Sequence, residues 1–326
     1  MICITITNTN GEDITKNEIL AVNWHLEAVC NYGCKFCYAP LIEQRKRTRL
    51  SSETGEPILR SIADYGVRKI NFVGGEPMLN PHLEDWIIHA NSLGMTTSIV
   101  SNGTRMSEGW LSEMRPYLDW IGLSIDASCD GIHAEMGRST KREARLGESG
   151  HLSRCLEVWK NARKLGYGLK LNTVVTSANL DDDMAELVSN LKPHRWKIFR
   201  ILLIDGENDG RVEPLMVSAR EFAEYVERHR TKLIGRDEIQ IVAEDNRDML
   251  GTYAMIDPQG LAYTNMAGRY RYSTSSVAEV GFAEAWAEVS GGFCESGFIS
   301  RGGNWDWGGN PHGGFNLPIL GGLSHD

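Results

Sequence analysis

The stretch VNWHLEAVCNYGCKFCY (residues 22–38) joins a strand pattern to three closely spaced thiols, and its reading decides the fold. Val22, Trp24 and Leu26 alternate with Asn23, His25 and Glu27, the period of two that a β-strand requires. The strand runs directly into Cys30, Cys34 and Cys37, with Phe36 between the last two. A structural zinc site is closed by four ligands, usually two paired knuckles. No second knuckle follows, so His25 or one of the scattered cysteines (Cys3, Cys129, Cys155, Cys294) would have to complete such a site. Three thiolates on a 4Fe-4S cluster leave one iron open to another ligand, and the compact triplet fits that arrangement better.

Outward from this stretch, short β-branched or aromatic runs recur: KINFV (69–73), TTSIV (96–100), WIGLSI (120–125), LKLNTVV (169–175) and RWKIFRILLI (195–204). Helical patterns lie between and after them, at 51–66, 82–94, 108–118, 152–166, 181–191 and 218–229. Ser51 or Ser52 and Ser218 are suited to open helices, and Gly66, Gly94 and Gly166 to close them. Six strand–helix units in series predict an α/β fold with a parallel sheet. No GxGxxG follows the first strand, so the expectation is a partial (βα)6 barrel over 20–230, not a doubly wound sheet. Residues 1–19 form an N-terminal segment, 231–307 a C-terminal extension over the barrel mouth, and the Gly-rich 308–326 a flexible tail.

The formal net charge of −9 argues against a nucleic-acid partner. No apolar run is long enough to span a bilayer, and the N-terminus carries neither a signal peptide nor a basic amphipathic face. Scattered, odd-numbered cysteines make a poor disulfide framework and point to a reducing compartment, so a cytoplasmic monomer is expected.

The CxxxCxxC triplet after a first strand resembles the cluster loop of the radical S-adenosylmethionine superfamily. The resemblance implies a 4Fe-4S cluster on Cys30, Cys34 and Cys37, S-adenosylmethionine on the open iron, and an electron donor. FVGGEPMLNP (72–81) resembles the superfamily's GGEP turn. It implies cofactor contacts at Gly74, Gly75 and Glu76, whose glycines permit close backbone approach. Tyr38, Ser101, Asn102 and Ser124 stand where the superfamily's other cofactor contacts fall. Asp126 is open between ligand and helix cap.

Alternation within the strands places Lys69 with Asn71, Lys170 with Asn172, and Arg195 with Lys197, each opposite apolar neighbours. Cations on a buried face are costly unless paired. A polyanion inside the barrel would pair them; the alternative is that they reach solvent at the lower rim. Lys69 is the weakest candidate, since it stands at the strand end opposite the usual active-site side.

KINFVGGEP, the MGR at 136–138, KLNTVVT (170–176), LKPHRWKIFRILLIDGEN (191–208) and FISRGGNWDW (298–307) narrow the resemblance to the viperin family of nucleotide dehydratases. That family makes the 3′-deoxy-3′,4′-didehydro form of a ribonucleoside triphosphate, an antiviral chain terminator. The resemblance implies a triphosphate cradle of Lys69, Arg138, Lys170, Arg195 and Lys197. It also implies ribose or phosphate contacts at Asn23 and Asn172, a base side near Tyr263 and Asn265, and a lid at 301–307. CTP, UTP and GTP remain open as substrates. A peptide-modifying or molybdenum-cofactor-type radical enzyme is the alternative.

Overall fold

A computed structural model of the chain describes residues 5–7, 13–15, 19–44 and 50–302. β1 (Thr5–Thr7) and β2 (Asp13–Thr15) pair antiparallel in a small sheet of their own. All other described strands join one sheet. β3 (Ala21–His25), β4 (Lys69–Val73), β5 (Thr96–Ser101), β6 (Trp120–Ser124), β7 (Gly168–Val175), β8 (Arg195–Arg200) and β9 (Gln240–Glu244) lie side by side in chain order, all parallel. Beyond β3 come β10 (Ala254–Ile256), also parallel, and then the antiparallel pair β11 (Leu261–Thr264) and β12 (Arg271–Ser276). The order runs from β12 to β9 without closing.

The six expected strands are all present, and β9 and β10 extend the parallel sheet by one strand at each side. The helices between them form where the sequence patterns lie. The helix Ser52–Tyr65 buries Ile58, Leu59 and Ile62 and stops at Gly66, whose φ of 100° suits a residue without Cβ. Ser218 and Glu221 form a reciprocal capping box on Ala219–Lys232.

The two sheet faces differ in chemistry. Trp24, Ile70, Phe72, Ile121, Leu169, Leu171, Trp196 and Ile198 are fully buried on the face covered by helices. Full burial of one such side chain contributes about 1.5–3 kcal/mol. The lumen face carries Lys69, Asn71, Lys170, Asn172, Arg195 and Lys197 instead. The register sets Gly122 beside Lys170, Lys170 beside Arg195, and Asn172 beside Lys197. Gly122 gives the Lys170 stem room, since a Cβ there would lie 3.4 Å from Lys170 Cε. One layer below, Trp120 fills the lumen because its neighbour is Gly168, where a Cβ would stand 2.4 Å from the indole. Among the described residues no helix is long and apolar enough to cross a membrane.

Candidate active site

Cys30, Cys34 and Cys37 line the upper part of one large cavity at the C-terminal ends of the strands. Their loop is held from outside. Lys35 N donates to Met136 O at 3.0 Å, and Tyr32 bridges to Thr140. Tyr32 N donates to the Cys30 sulfur at 3.4 Å. Burial pushes the Cys30 thiol up to about 11 and Cys34 to about 12, and raises Cys37 as well. Such thiols stay protonated unless a metal deprotonates them. Among the described residues no three His, Cys, Asp or Glu side chains converge on a single ion, as mononuclear zinc requires. Cys30, Cys34 and Cys37 share one cavity wall and would be the residues to hold a 4Fe-4S cluster.

The GGEP turn does more than the sequence indicates. Gly75 N donates to Glu27 O at 2.6 Å and Glu76 N to Val29 O at 3.0 Å. A Cβ on Gly74 would lie 2.8 Å from Glu27 O, and one on Gly75 2.4 Å from Val29 O. The close approach these glycines permit is therefore to the cysteine loop itself. A cofactor ammonium needs acceptors, so engaging the amides does not compete with it. Glu76 is buried and accepts from Met78 N (3.1 Å), Ser101 Oγ (2.7 Å) and Asn102 N (2.9 Å). Burial raises its pKa, and those donors pull it back. Asn102 Nδ2 donates to Asn31 Oδ1 at 2.8 Å, tying the end of β5 to the cysteine loop. Tyr38, Ser101, Asn102 and Ser124 all line the cavity.

Below the cysteines, Lys69, Lys170, Arg195 and Lys197 line the same cavity. The rim alternative does not hold: Lys69 is 6%, Lys170 4% and Arg195 2% exposed. Burial holds Lys69 far below the usual lysine range, and Lys170, Arg195, Lys197 and Arg301 add to the effect. Lys170 is depressed for the same reasons, by burial and then by Lys197 and Arg195. Arg195 falls to about 10 and Lys197 to about 8, again mainly through burial. Asn71 Nδ2 donates to Asn23 Oδ1 at 3.1 Å. Oδ1 of Asn71 and of Asn172 and Nδ1 of His25 are buried with no hydrogen-bond partner among the described residues. Cations outnumber carboxylates on the wall of this cavity. The cavity volume is about 250 Å³, near the lower end of the ~300–1,000 Å³ of ligand pockets.

The structure adds residues that pattern reading passed over. Glu244, fully buried at the end of β9, pairs with Lys197 at 2.5 Å and accepts from the Tyr253 hydroxyl. Its signal was the run IQIVAE (239–244), a strand pattern at a point where no further unit was expected. Arg301 lies 3.6 Å over the Tyr253 ring. Arg195 donates to the carbonyls of Arg301 (2.8 Å) and Gly302 (3.3 Å), holding the helix Glu295–Ser300 and the buried Phe298 against the cavity. The rest of the expected lid, 303–307, and the tail 308–326 lie outside the described residues.

Other expected residues are placed differently. Arg138 lines the cavity at the level of the cysteines, apart from the lysine group. Its Nε donates to the Asp126 carboxylate and its guanidinium sits 5.1 Å over the Phe36 ring. Asp126 lines the cavity and caps no helix: it accepts from Arg138 and from Val174 N at 2.9 Å, because a buried carboxylate must be paired. Tyr263 and Asn265 are off the cavity wall. Tyr263 is buried against His25 and Tyr272. Asn265 bonds the backbone of Met249 and Gly251, bracing the loop before Tyr253.

Comparison with known proteins agrees with this geometry. The model of the Radical SAM superfamily matches residues 28–191. An S-adenosylmethionine-dependent nucleotide dehydratase of Flammeovirga pacifica is 40% identical over 297 residues, covering 89% of this chain and 97% of that one. The S-adenosylmethionine-dependent nucleotide dehydratase RSAD2 of Oncorhynchus mykiss is 32% identical over 298 residues, covering 88% and 80%. The structure of Streptococcus suis SuiB bound to S-adenosylmethionine superposes with a TM-score of 0.67 at 16% identity, over 87% of this chain and 68% of that one, which shows a shared fold. The chain belongs to the radical SAM superfamily, whose enzymes work with a 4Fe-4S cluster and S-adenosylmethionine. Within it, the chain is a member of the S-adenosylmethionine-dependent nucleotide dehydratases, the viperin family.

Proposed function

We propose that the protein dehydrates a ribonucleoside triphosphate (CTP, UTP or GTP) to its 3′-deoxy-3′,4′-didehydro form, an antiviral chain terminator. The observation that carries this reading is the group of buried cations on the lumen face of β4, β7 and β8, directly below three cysteines on one cavity wall. Three linked phosphates would neutralise such a group, and an uncharged substrate would not. No second multi-cysteine motif favours the peptide-modifying alternative; Cys129 and Cys294 are single and exposed.

In this mechanism Cys30, Cys34 and Cys37 hold the cluster, and the GGEP turn, Tyr38, Ser101, Asn102 and Ser124 hold the cofactor beside it. When bound, cluster and cofactor would supply the radical chemistry for hydrogen abstraction at ribose C4′. Lys69, Lys170, Arg195 and Lys197 fix the triphosphate, and the unpartnered Asn172 Oδ1 is an acceptor suited to a ribose hydroxyl. Glu244 keeps a proton on Lys197 before the phosphates arrive. Arg138 sets positive charge beside Cys34, which lowers the cost of its thiolate, and Asp126 offsets part of that effect. Arg195, by holding residues 301–302, closes one side of the cavity against water.

The test is anaerobic reconstitution, followed by incubation with S-adenosylmethionine, dithionite and each of the four ribonucleoside triphosphates. Release of 5′-deoxyadenosine should rise with at least one triphosphate. Equal release with none would end the dehydratase reading while leaving the cluster intact.

A further inference from the structure

The reaction consumes an electron, and one surface of the fold is suited to receive its carrier. We infer that the outer edge of the cysteine loop and the segment after Met136 form the docking surface for an acidic, low-potential one-electron carrier protein. This rests on the cluster assignment above and goes beyond it.

The cysteine loop reaches the surface at Gly33 and Lys35, both exposed and flanking Cys34. The surface thus comes within one residue of Cys34 on either side, and electron transfer falls steeply with distance. The segment 136–146 is fastened to that edge. Met136 O accepts from Lys35 N, Thr140 bridges to Tyr32, and Gly137 packs so closely that a Cβ there would lie 2.7 Å from Gly33 O. From this footing the helix Lys141–Leu146 begins with a capping box (Thr140, Glu143) that fixes its direction.

The helix buries none of its residues and exposes Lys141, Arg142 and Arg145, with Leu146 63% exposed beside them. Arg105 is exposed on the neighbouring loop, next to Thr104, which bonds Asn31 of the cysteine loop at 2.7 Å. Glu135 and Glu148 are the exposed carboxylates of the segment, while Glu143 is committed to Arg154 at 2.6 Å. Five exposed cations thus outnumber three exposed carboxylates, Glu135, Glu148 and Glu108 beyond Arg105, on a chain whose net charge is −9.

A local patch of the minority sign, around an exposed apolar residue and beside the redox centre, fits a small acidic partner. The charges steer the encounter and Leu146 supplies a contact. Electron-transfer encounters need only a small, weak interface. In the step itself, one electron leaves the carrier's reduced flavin or iron–sulfur centre and enters the oxidised cluster. No atoms are exchanged.

The test uses the reconstituted holoenzyme and a reduced, acidic flavodoxin as probe. The triple variant Lys141→Glu, Arg142→Glu, Arg145→Glu is compared with wild type and with Arg220→Glu, Arg230→Glu on the helix Ala219–Lys232, followed by loss of cluster absorbance at low ionic strength. Reduction by flavodoxin should slow about tenfold or more in the triple variant only. Reduction by dithionite should stay equal in all three. Carbodiimide cross-links to flavodoxin carboxylates should map to Lys35 and Lys141. Unchanged flavodoxin rates, or cross-links elsewhere, overturn the docking site. So does a patch that retains RNA or anionic vesicles but not flavodoxin. A protein that builds no cluster fails the proposed function instead, a result visible in iron content before any carrier is added.

Discussion

Replacing Lys170 with methionine should push binding and stability in opposite directions. Methionine keeps the stem that crosses Gly122 and removes only the ammonium. In the nucleotide complex, that ammonium about 4 Å from one phosphate charge is worth ~4 kcal/mol at an effective dielectric near 20. Allowing for desolvation, ~2–4 kcal/mol should be lost, or about 30- to 1,000-fold in Kd. In the free protein the same charge is a burden, because burial, Lys197 and Arg195 all disfavour it. Removing that burden stabilises the free protein, and losing the 2.6 Å bond to Ser98 returns about 1 kcal/mol. The nucleotide-free Tm should therefore hold or rise by about 0–4 °C for a chain of this length. Calorimetry in buffers of different ionisation enthalpy supplies a third readout. Wild type should take up protons on binding triphosphate, since phosphates favour the charged form that burial disfavours at Lys69 and Lys170, and the variant should take up fewer. A Kd within about threefold of wild type together with a lower Tm would refute the reasoning, making Lys170 a structural ion.

Three further predictions test neighbouring parts of the site. Triphosphate KM should climb as pH rises through about 8, where Lys197 loses its proton; in Glu244→Gln, which removes the carboxylate supporting that proton, the climb should begin about one pH unit lower. Gly75→Ala should displace the cysteine loop, cost about 1–3 kcal/mol and lower iron per chain after reconstitution. Gly33→Ala, where a Cβ meets nothing within 4 Å, should leave iron content unchanged. Arg195→Lys removes the fork that bridges the carbonyls of residues 301 and 302, so trypsin cleavage after Arg301 should quicken about tenfold, as expected for losing one or two charge-assisted hydrogen bonds.

What the sequence disclosed and what it hid follow from the range of the interactions involved. Strand alternation is local, so the shared face of Lys69, Lys170, Arg195 and Lys197 could be read directly, and register then brought them together. The cysteine spacing was local too. Glu244 was not readable in the same way, because its meaning comes from β9 pairing with β8, a contact between segments some forty residues apart. Asp126 could not be assigned, since Arg138 reaches it from the far end of another helix. The glycines of the GGEP turn were read for their freedom to approach a ligand. Their tightest neighbours turned out to be main-chain atoms of the cysteine loop, about 45 residues back in the chain. Tyr263 and Asn265 were carried over by alignment, and packing placed them behind the wall rather than on it.

The lumen opposes the fold that contains it. A parallel sheet ordinarily gains from apolar side chains on both faces, yet here the inner face gathers cations that depress one another's protonation. The protein limits that cost in three ways visible in its bonds. Glu244 is set against Lys197, Ser98 and the 301–302 carbonyls accept from Lys170 and Arg195, and the depressed lysines can shed their protons. Each device is reversible, since phosphate oxygens can replace these acceptors and restore the missing protons. Triphosphate should therefore stabilise the protein by an amount that grows with its concentration over its Kd. A nucleoside carrying the same base without phosphates should do almost nothing. A thermal shift series from nucleoside through mono-, di- and triphosphate should rise with each phosphate added. A flat series would mean that the lumen cations serve the fold and not the substrate.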